Sequence, residues 1–297
     1  MKVCYIREGK DTSDVIKKVL IIIKRFFNII EIDKNKEKLM YYLPIFKTTK
    51  VSENKIKKFS EKIIQKLEKE GIQDIVLSKH LETINDLKLK LYSENINILD
   101  GRLLFKCLIY EALEYISKIK NKKIQELDIT FTINEFNNIN KDIIILIAKN
   151  VKTLNIITNH IQKLKRVQQY LHEEFGVMLN VLNNKKKSLL NSEIIINFDF
   201  PQELLNQYKI YDKAIILNIL GKTPIHIKKF NGININYFKI TMPKKYELRE
   251  FNNEIIYESI IYENAKFANI RKRIIQDKIK IQKLIGNNGE IRENEIA

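Results

Sequence analysis

Asp199 is the residue whose position most invites chemistry. It follows the apolar run Ile194 to Phe198 and precedes Phe200-Pro201. Ligands of open α/β sheets bind at the carboxyl ends of the strands, where an acid could contact a sugar or an amine. An aspartate before a proline is also an ordinary turn residue. The loop Asn183-Asn184-Lys185-Lys186-Lys187 falls on the same predicted edge and could attract an anion. Other chemistry is scarce. His80, His160, His172 and His226 form no HxH or HExxH pattern, and Cys4 and Cys107 form no CxxC. Neither a metal site nor a disulfide framework is therefore expected, and both thiols read as buried and free. No GxSxG or P-loop motif occurs, which argues against standard serine hydrolases and P-loop enzymes.

The elements that must position these residues come from a chain of 297 residues. That length suits one large domain or two moderate ones. The net charge of +17 would attract nucleic acid or anionic lipid. Lysine is scattered, however, with its densest patches at 185–187 and at Arg271-Lys272-Arg273, so a solvated lysine-rich surface accounts for most of it. Val15 to Ile30 is too short and too charged to span a bilayer. Val15, Val19, Leu20, Ile23 and Phe27 fit one helical face, which reads as a helix packed on a sheet, with membrane-surface attachment as the alternative.

Read in order, residues 1–100 give strands at Lys2–Ile6, Ile29–Ile32, Leu39–Phe46, Asp74–Leu77 and Ile96–Leu99. Asp11, Thr12 and Ser13 offer helix-start chemistry, and Pro44 pushes its strand towards a sheet edge. Ser52 and Gly71 bound an amphipathic helix carrying Ile56, Phe59, Ile63, Ile64 and Leu67 on one face. A connecting helix occupies 101–123. Residues 124–221 alternate strand and helix, which implies parallel crossovers. Residues 222–297 give short strands at Pro224–Lys228 and Ile233–Ile240, then helix over most of Glu247 to Ile285. The expected class is α/β, with two α/β domains and a C-terminal helical segment.

The stretch TLNIITNHIQKLKRVQQYL resembles the second strand and helix of the Rossmann domain in the shikimate dehydrogenase and glutamyl-tRNA reductase families, with Asn159 and Lys163 at the matching positions. EIIINFDFP is similar to the strand that ends over the cofactor in such domains. The resemblance implies NAD(P) and a catalytic pair of Lys79 and Asp100, meeting in a cleft between domains. Lys79 also reads as a surface lysine and Asp100 as an N-cap. The phosphate loop departs from the pattern. Such a loop needs glycines for a tight turn and close backbone approach to the pyrophosphate. Here it is Asn134-Glu135-Phe136-Asn137-Asn138-Ile139-Asn140, without glycine. Asn134, Asn137 and Asn138 could still turn through left-handed backbone, but Glu135 would repel a phosphate.

The expectation is a cytoplasmic protein with a non-catalytic binding or regulatory role and no resident cofactor. The alternatives are an NAD(P)-dependent oxidoreductase, with Asn134, Asn137, Asn138, Asn159 and Asp199 at the cofactor, and a nucleic-acid-binding protein. Residues 247–285 would serve a protein partner or a second copy.

Overall fold

The computed structural model describes residues 3–9, 15–27, 29–34, 39–45, 52–151, 153–221, 230–262 and 266–296. In chain order the elements are β1 (Val3–Glu8), α1 (Val15–Phe26), β2 (Glu31–Lys34), β3 (Leu39–Leu43), α2 (Glu53–Glu70), β4 (Asp74–Leu77), α3 (Asn85–Ser93) and β5 (Asn97–Ile98). Then follow α4 (Arg102–Cys107), α5 (Ile109–Ile119), β6 (Ile129–Thr132), α6 (Asn138–Ala148), β7 (Thr153–Ile157), α7 (Ile161–Phe175) and β8 (Met178–Leu182). The chain continues with β9 (Ile194–Asn197), α8 (Gln202–Leu205), β10 (Ile215–Asn218), β11 (Ile233–Thr241), α9 (Asn253–Ile261), α10 (Phe267–Gln276), β12 (Lys280–Gly286), β13 (Gly289–Glu290) and α11 (Glu293–Ile296). Two compact units result: Met1–Gly101 with Lys244–Glu263, and Arg102–Pro243 with Asn264–Ala297.

The first unit holds a five-stranded sheet in the order β2-β3-β1-β4-β5. All pairs are parallel except β2 with β3. Pro44 does not place β3 at the edge. The strand ends at Leu43, so the proline ring falls outside the ladder and β3 sits between β2 and β1. In α2 the expected apolar face is buried, and Gly71 closes the helix in left-handed backbone at φ 64°. Ser52 stands at the N-cap but its hydroxyl makes no capping bond. α9 belongs to this unit: Tyr5 and Ser259 share a hydroxyl hydrogen bond of 2.7 Å, and the Gly101 N–H donates to Glu258 at 3.1 Å. The helix expected near Val15 forms, but Val19, Leu20, Ile22, Ile23 and Phe26 of α1 are exposed rather than packed on the sheet.

The second unit holds an eight-stranded sheet in the order β8-β7-β6-β9-β10-β11-β12-β13. The first six strands are mutually parallel. With β6 counted as the first strand, the parallel part runs 3-2-1-4-5-6, the Rossmann arrangement. Its strands are short isoleucine-rich runs buried throughout in β6, β9 and β10, as a sheet covered on both faces requires. Three expectations differ in detail. The connecting helix is broken at Leu108 into α4 and α5. Residues 185–191 form turns rather than a helix, tied down by a bridge between Leu189 and Ile210. Lys280–Gly286 is a strand, because Lys278 adopts left-handed backbone (φ 52°) beyond α10 and the chain then pairs antiparallel with the free side of β11. The strand expected at Pro224–Lys228 and the helix start at Asp11-Thr12-Ser13 lie outside the described residues.

Candidate functional site

The order of the parallel strands reverses between β6 and β9. These two strands pair with Thr132 opposite Asn197, so the loops leaving their carboxyl ends run side by side. This is the crevice in which doubly wound sheets bind ligands. Here the chain fills part of it. The Asp199 carboxylate accepts the backbone N–H of Asn134 at 2.8 Å (Oδ1) and 3.0 Å (Oδ2), and that of Glu135 at 2.5 Å.

The glycine-free loop is built by side chains. Asn137 caps α6 by accepting the Asn140 N–H at 2.9 Å, and the Asn140 amide donates to the Glu135 carbonyl at 2.7 Å. The Asn134 side-chain oxygen accepts the Asn159 N–H at 2.9 Å, which ties the β6 loop to the end of β7. No residue from Asn134 to Asn140 has positive φ. The asparagines thus replace glycine through side-chain hydrogen bonds, not through the left-handed backbone that the sequence suggested. Asn138, exposed, opens α6.

The electrostatics of the crevice centre on Asp199 and Lys106. Burial raises the Asp199 carboxyl above its ordinary range. The Glu135 and Asn134 amides and the Lys106 ammonium oppose that shift, and the Glu135 carboxylate adds to it. Lys106, on α4, lies with its ammonium 5.8 Å from the Phe198 ring centroid. Burial lowers its pKa, against the pull of Glu135, Cys107 and Asp199. Burial is the leading cause of both shifts. Nothing in the sequence reading singled out Lys106, although a lysine inside the apolar run Leu103-Leu104-Phe105-Lys106-Cys107-Leu108 was the available signal.

A second feature also escaped the sequence. Thr132, Asn197, Asn218 and Asn236 occupy one register row across β6, β9, β10 and β11, and all four are buried. The Thr132 hydroxyl donates to the Asn197 oxygen at 2.8 Å. The amide of Asn197 donates to Asn218 at 3.3 Å, that of Asn218 to Asn236 at 3.0 Å, and that of Asn236 to Asn287 at 2.7 Å. Asn197 also exchanges hydrogen bonds with the backbone N–H and carbonyl of Phe200, both at 3.0 Å, which sets the turn that aims Asp199. A primary amide carries a donor and an acceptor, so it can continue such a chain from strand to strand.

Beside the crevice, a cavity of about 490 Å³ lies between α6 and α7. Phe136, Asn137, Asn138, Lys141, Lys163 and Arg166 line it, with no acid among its walls. Lys79 and Asp100 are in the first unit. The Lys79 ammonium donates to the Arg249 carbonyl at 3.3 Å, and its N–H donates to the Glu250 carbonyl at 2.9 Å. Asp100 is exposed just before Gly101, whose φ is 85°. Lys185, of the lysine loop that could attract an anion, donates to the Gln207 side-chain oxygen. In the basic run near the C-terminus, Arg271 is held by Glu111 at 2.6 and 2.7 Å, and Arg273 by Asp277 at 2.6 Å. Ile256, Ile261, Ile270 and Ile274 of 247–285 are buried within the chain's own units. Among the described residues, no group of three or more His, Cys, Asp or Glu could hold a metal ion. Nor is any described helix long and apolar enough to cross a membrane.

The fold and this site define an α/β protein of two units, the second a Rossmann-type parallel sheet whose first loop lacks glycine. No family model matches the chain, and no curated protein matches it. Among solved structures it is similar to an L-tryptophan dehydrogenase from Nostoc punctiforme, at 9% identity and TM-score 0.34, over 93% of this chain and 88% of that one. A shikimate dehydrogenase in complex with NADP+ matches at 12% identity and TM-score 0.33, over 93% of this chain and 95% of that one. An ornithine carbamoyltransferase from Campylobacter jejuni matches at 11% identity and TM-score 0.26, over 92% and 84%. Likeness at this level carries no argument about chemistry.

Proposed function

We propose that this is a binding or regulatory protein whose Rossmann-type unit does not take a dinucleotide at its switch point. One observation carries the reading: the Asp199 carboxylate sits on the amides of Asn134 and Glu135, where a bound pyrophosphate would have to sit. A pyrophosphate would have to displace that carboxylate and face both it and Glu135. Two unit charges roughly 4 Å apart at a protein surface interact by about 4 kcal/mol, so the repulsion is comparable to the whole contribution of a few phosphate contacts. The closed loop, held by Asn134, Asn137 and Asn140, presents side chains where glycine would let a phosphate approach the backbone.

The second reading is an NAD(P)-dependent oxidoreductase. The 3-2-1-4-5-6 strand order favours it. Thermal unfolding with NAD, NADP and inorganic pyrophosphate, on the natural chain and on Asp199→Ala, separates the two. The expected result is no shift for the natural chain and a gain with pyrophosphate once the carboxylate is removed. A dinucleotide at a hundredfold its dissociation constant would instead stabilise the natural chain by about 2.7 kcal/mol, or roughly 5–10 °C, and would establish the oxidoreductase reading in place of the first.

A further inference from the structure

The feature that the Rossmann reading leaves unexplained is α1 in the first unit. Val19, Ile22, Ile23 and Phe26 are spaced three and four residues apart and so share one helical face. All are exposed, Ile22 by 57% and Phe26 by 78%. Leu20, Phe27 and Ile29 add to the patch, and the Phe26 and Phe27 rings pack edge to face at 5.2 Å. A run of large apolar side chains on one exposed helix marks an interaction site.

Charge decides the kind of partner. By sequence, α1 carries Lys17, Lys18, Lys24 and Arg25 and no acid. The strand that follows adds Glu31, Asp33 and Lys34, and Glu31 is paired with Lys24. The segment is therefore basic, in a chain of net charge +17. A second copy docking through this segment would bring two net-positive segments together, because a two-fold interface is self-complementary. An anionic lipid surface neutralises them and takes up the apolar face. A basic helix with a one-sided apolar stripe lies in the interface plane, with that stripe at the headgroup–acyl boundary.

We propose that α1 is a peripheral membrane anchor that seats the protein on anionic phospholipid. Flotation of the full chain with vesicles of phosphatidylcholine alone, and of phosphatidylcholine with phosphatidylserine, tests this. Recovery with the anionic vesicles only, declining as salt is added, is expected. Replacing Ile22→Asp and Phe26→Asp together should reduce recovery by about tenfold or more, with the far-ultraviolet circular dichroism unchanged. The chain has no tryptophan. A Phe26→Trp variant is therefore a single reporter in an otherwise natural chain, and its emission should shift to the blue with anionic vesicles. This readout decides the matter even if the double variant does not fold. Absence of both recovery and emission shift overturns the proposal. So does undiminished flotation of the folded double variant, or a dimer in sedimentation velocity that the double variant dissociates while no vesicle is bound.

Discussion

The Asp199 carboxylate and the Glu135 amide meet at 2.5 Å across the point where the strand order reverses. The two residues come from different loops, and their contact places the chain's own charge in part of the crevice. Burial of Asp199 also gives the protein a pH-dependent component of stability. Burial raises Asp199 above its ordinary value of 3.8, so the folded chain holds the proton more tightly than the unfolded chain. Stability from this group is therefore fully present below 3.8 and falls as pH rises through the raised folded value. The difference in unfolding free energy between the natural chain and Asp199→Asn should decline with rising pH in that window and be level above it. Urea titrations at a series of pH values measure it; a difference that grows with pH would contradict the assignment.

The amide row predicts a large cost for one substitution. Asn197→Leu removes the partner of the Thr132 hydroxyl, the Phe200 N–H and carbonyl, and the Asn218 oxygen, all in a buried layer. We expect a loss of about 3 kcal/mol in denaturant unfolding. Adding Asn218→Leu should cost less than the two single changes summed, since the second removes a group already stranded by the first.

Arg271 Nη1 donates to both carboxylate oxygens of Glu111, at 2.6 and 2.7 Å, in an ion pair with about 15% and 16% of the two side chains exposed. Burial still holds the Glu111 carboxyl above its ordinary range, despite the lowering by Arg271. Attraction thus only partly offsets desolvation. Arg271→Met should destabilise by about 3 kcal/mol, because it leaves a buried carboxylate alone. Adding Glu111→Leu should restore much of that loss, as read by the denaturant midpoint. A nucleic-acid role for Arg271 would instead appear as weakened binding with unchanged stability.

Neither Cys4 nor Cys107 is in a disulfide, both are almost wholly buried, and burial pushes the Cys4 thiol well above the usual thiol range. Since the thiolate is the reacting form, neither should titrate with an aromatic disulfide reagent in the folded chain. Both should react after denaturation. Fast labelling of the native protein would show that the two cores open locally.

Part of this architecture was legible residue by residue. The isoleucine-rich runs ending in Asn197 and Asn218, the apolar face of α2, and the helix stops at Gly71 and Gly176 follow from local patterns. Both glycines take left-handed backbone, at φ 64° and 63°. The missing glycine after β6 was equally plain. Other features were hidden because they depend on partners distant in sequence. Asp199 reads as a turn residue until its acceptors' partners, 64 and 65 positions away, are placed beside it. Lys106 reads as an interior helix residue until α4 brings it to Phe198.

The sequence by itself determined the order and kind of most elements, because strand and helix periodicities and glycine stops act over a few residues. It also determined that the first loop of the parallel sheet, from Asn134 to Asn140, carries no glycine. Tertiary structure alone decided which asparagines stand in one row, that Asp199 occupies the amides of that loop, that the chain after Lys278 extends the sheet, and that Val19, Ile22, Ile23 and Phe26 of α1 are exposed. Each depends on strand register or on packing between distant segments, and a one-residue slip would turn the same side chains to the opposite face.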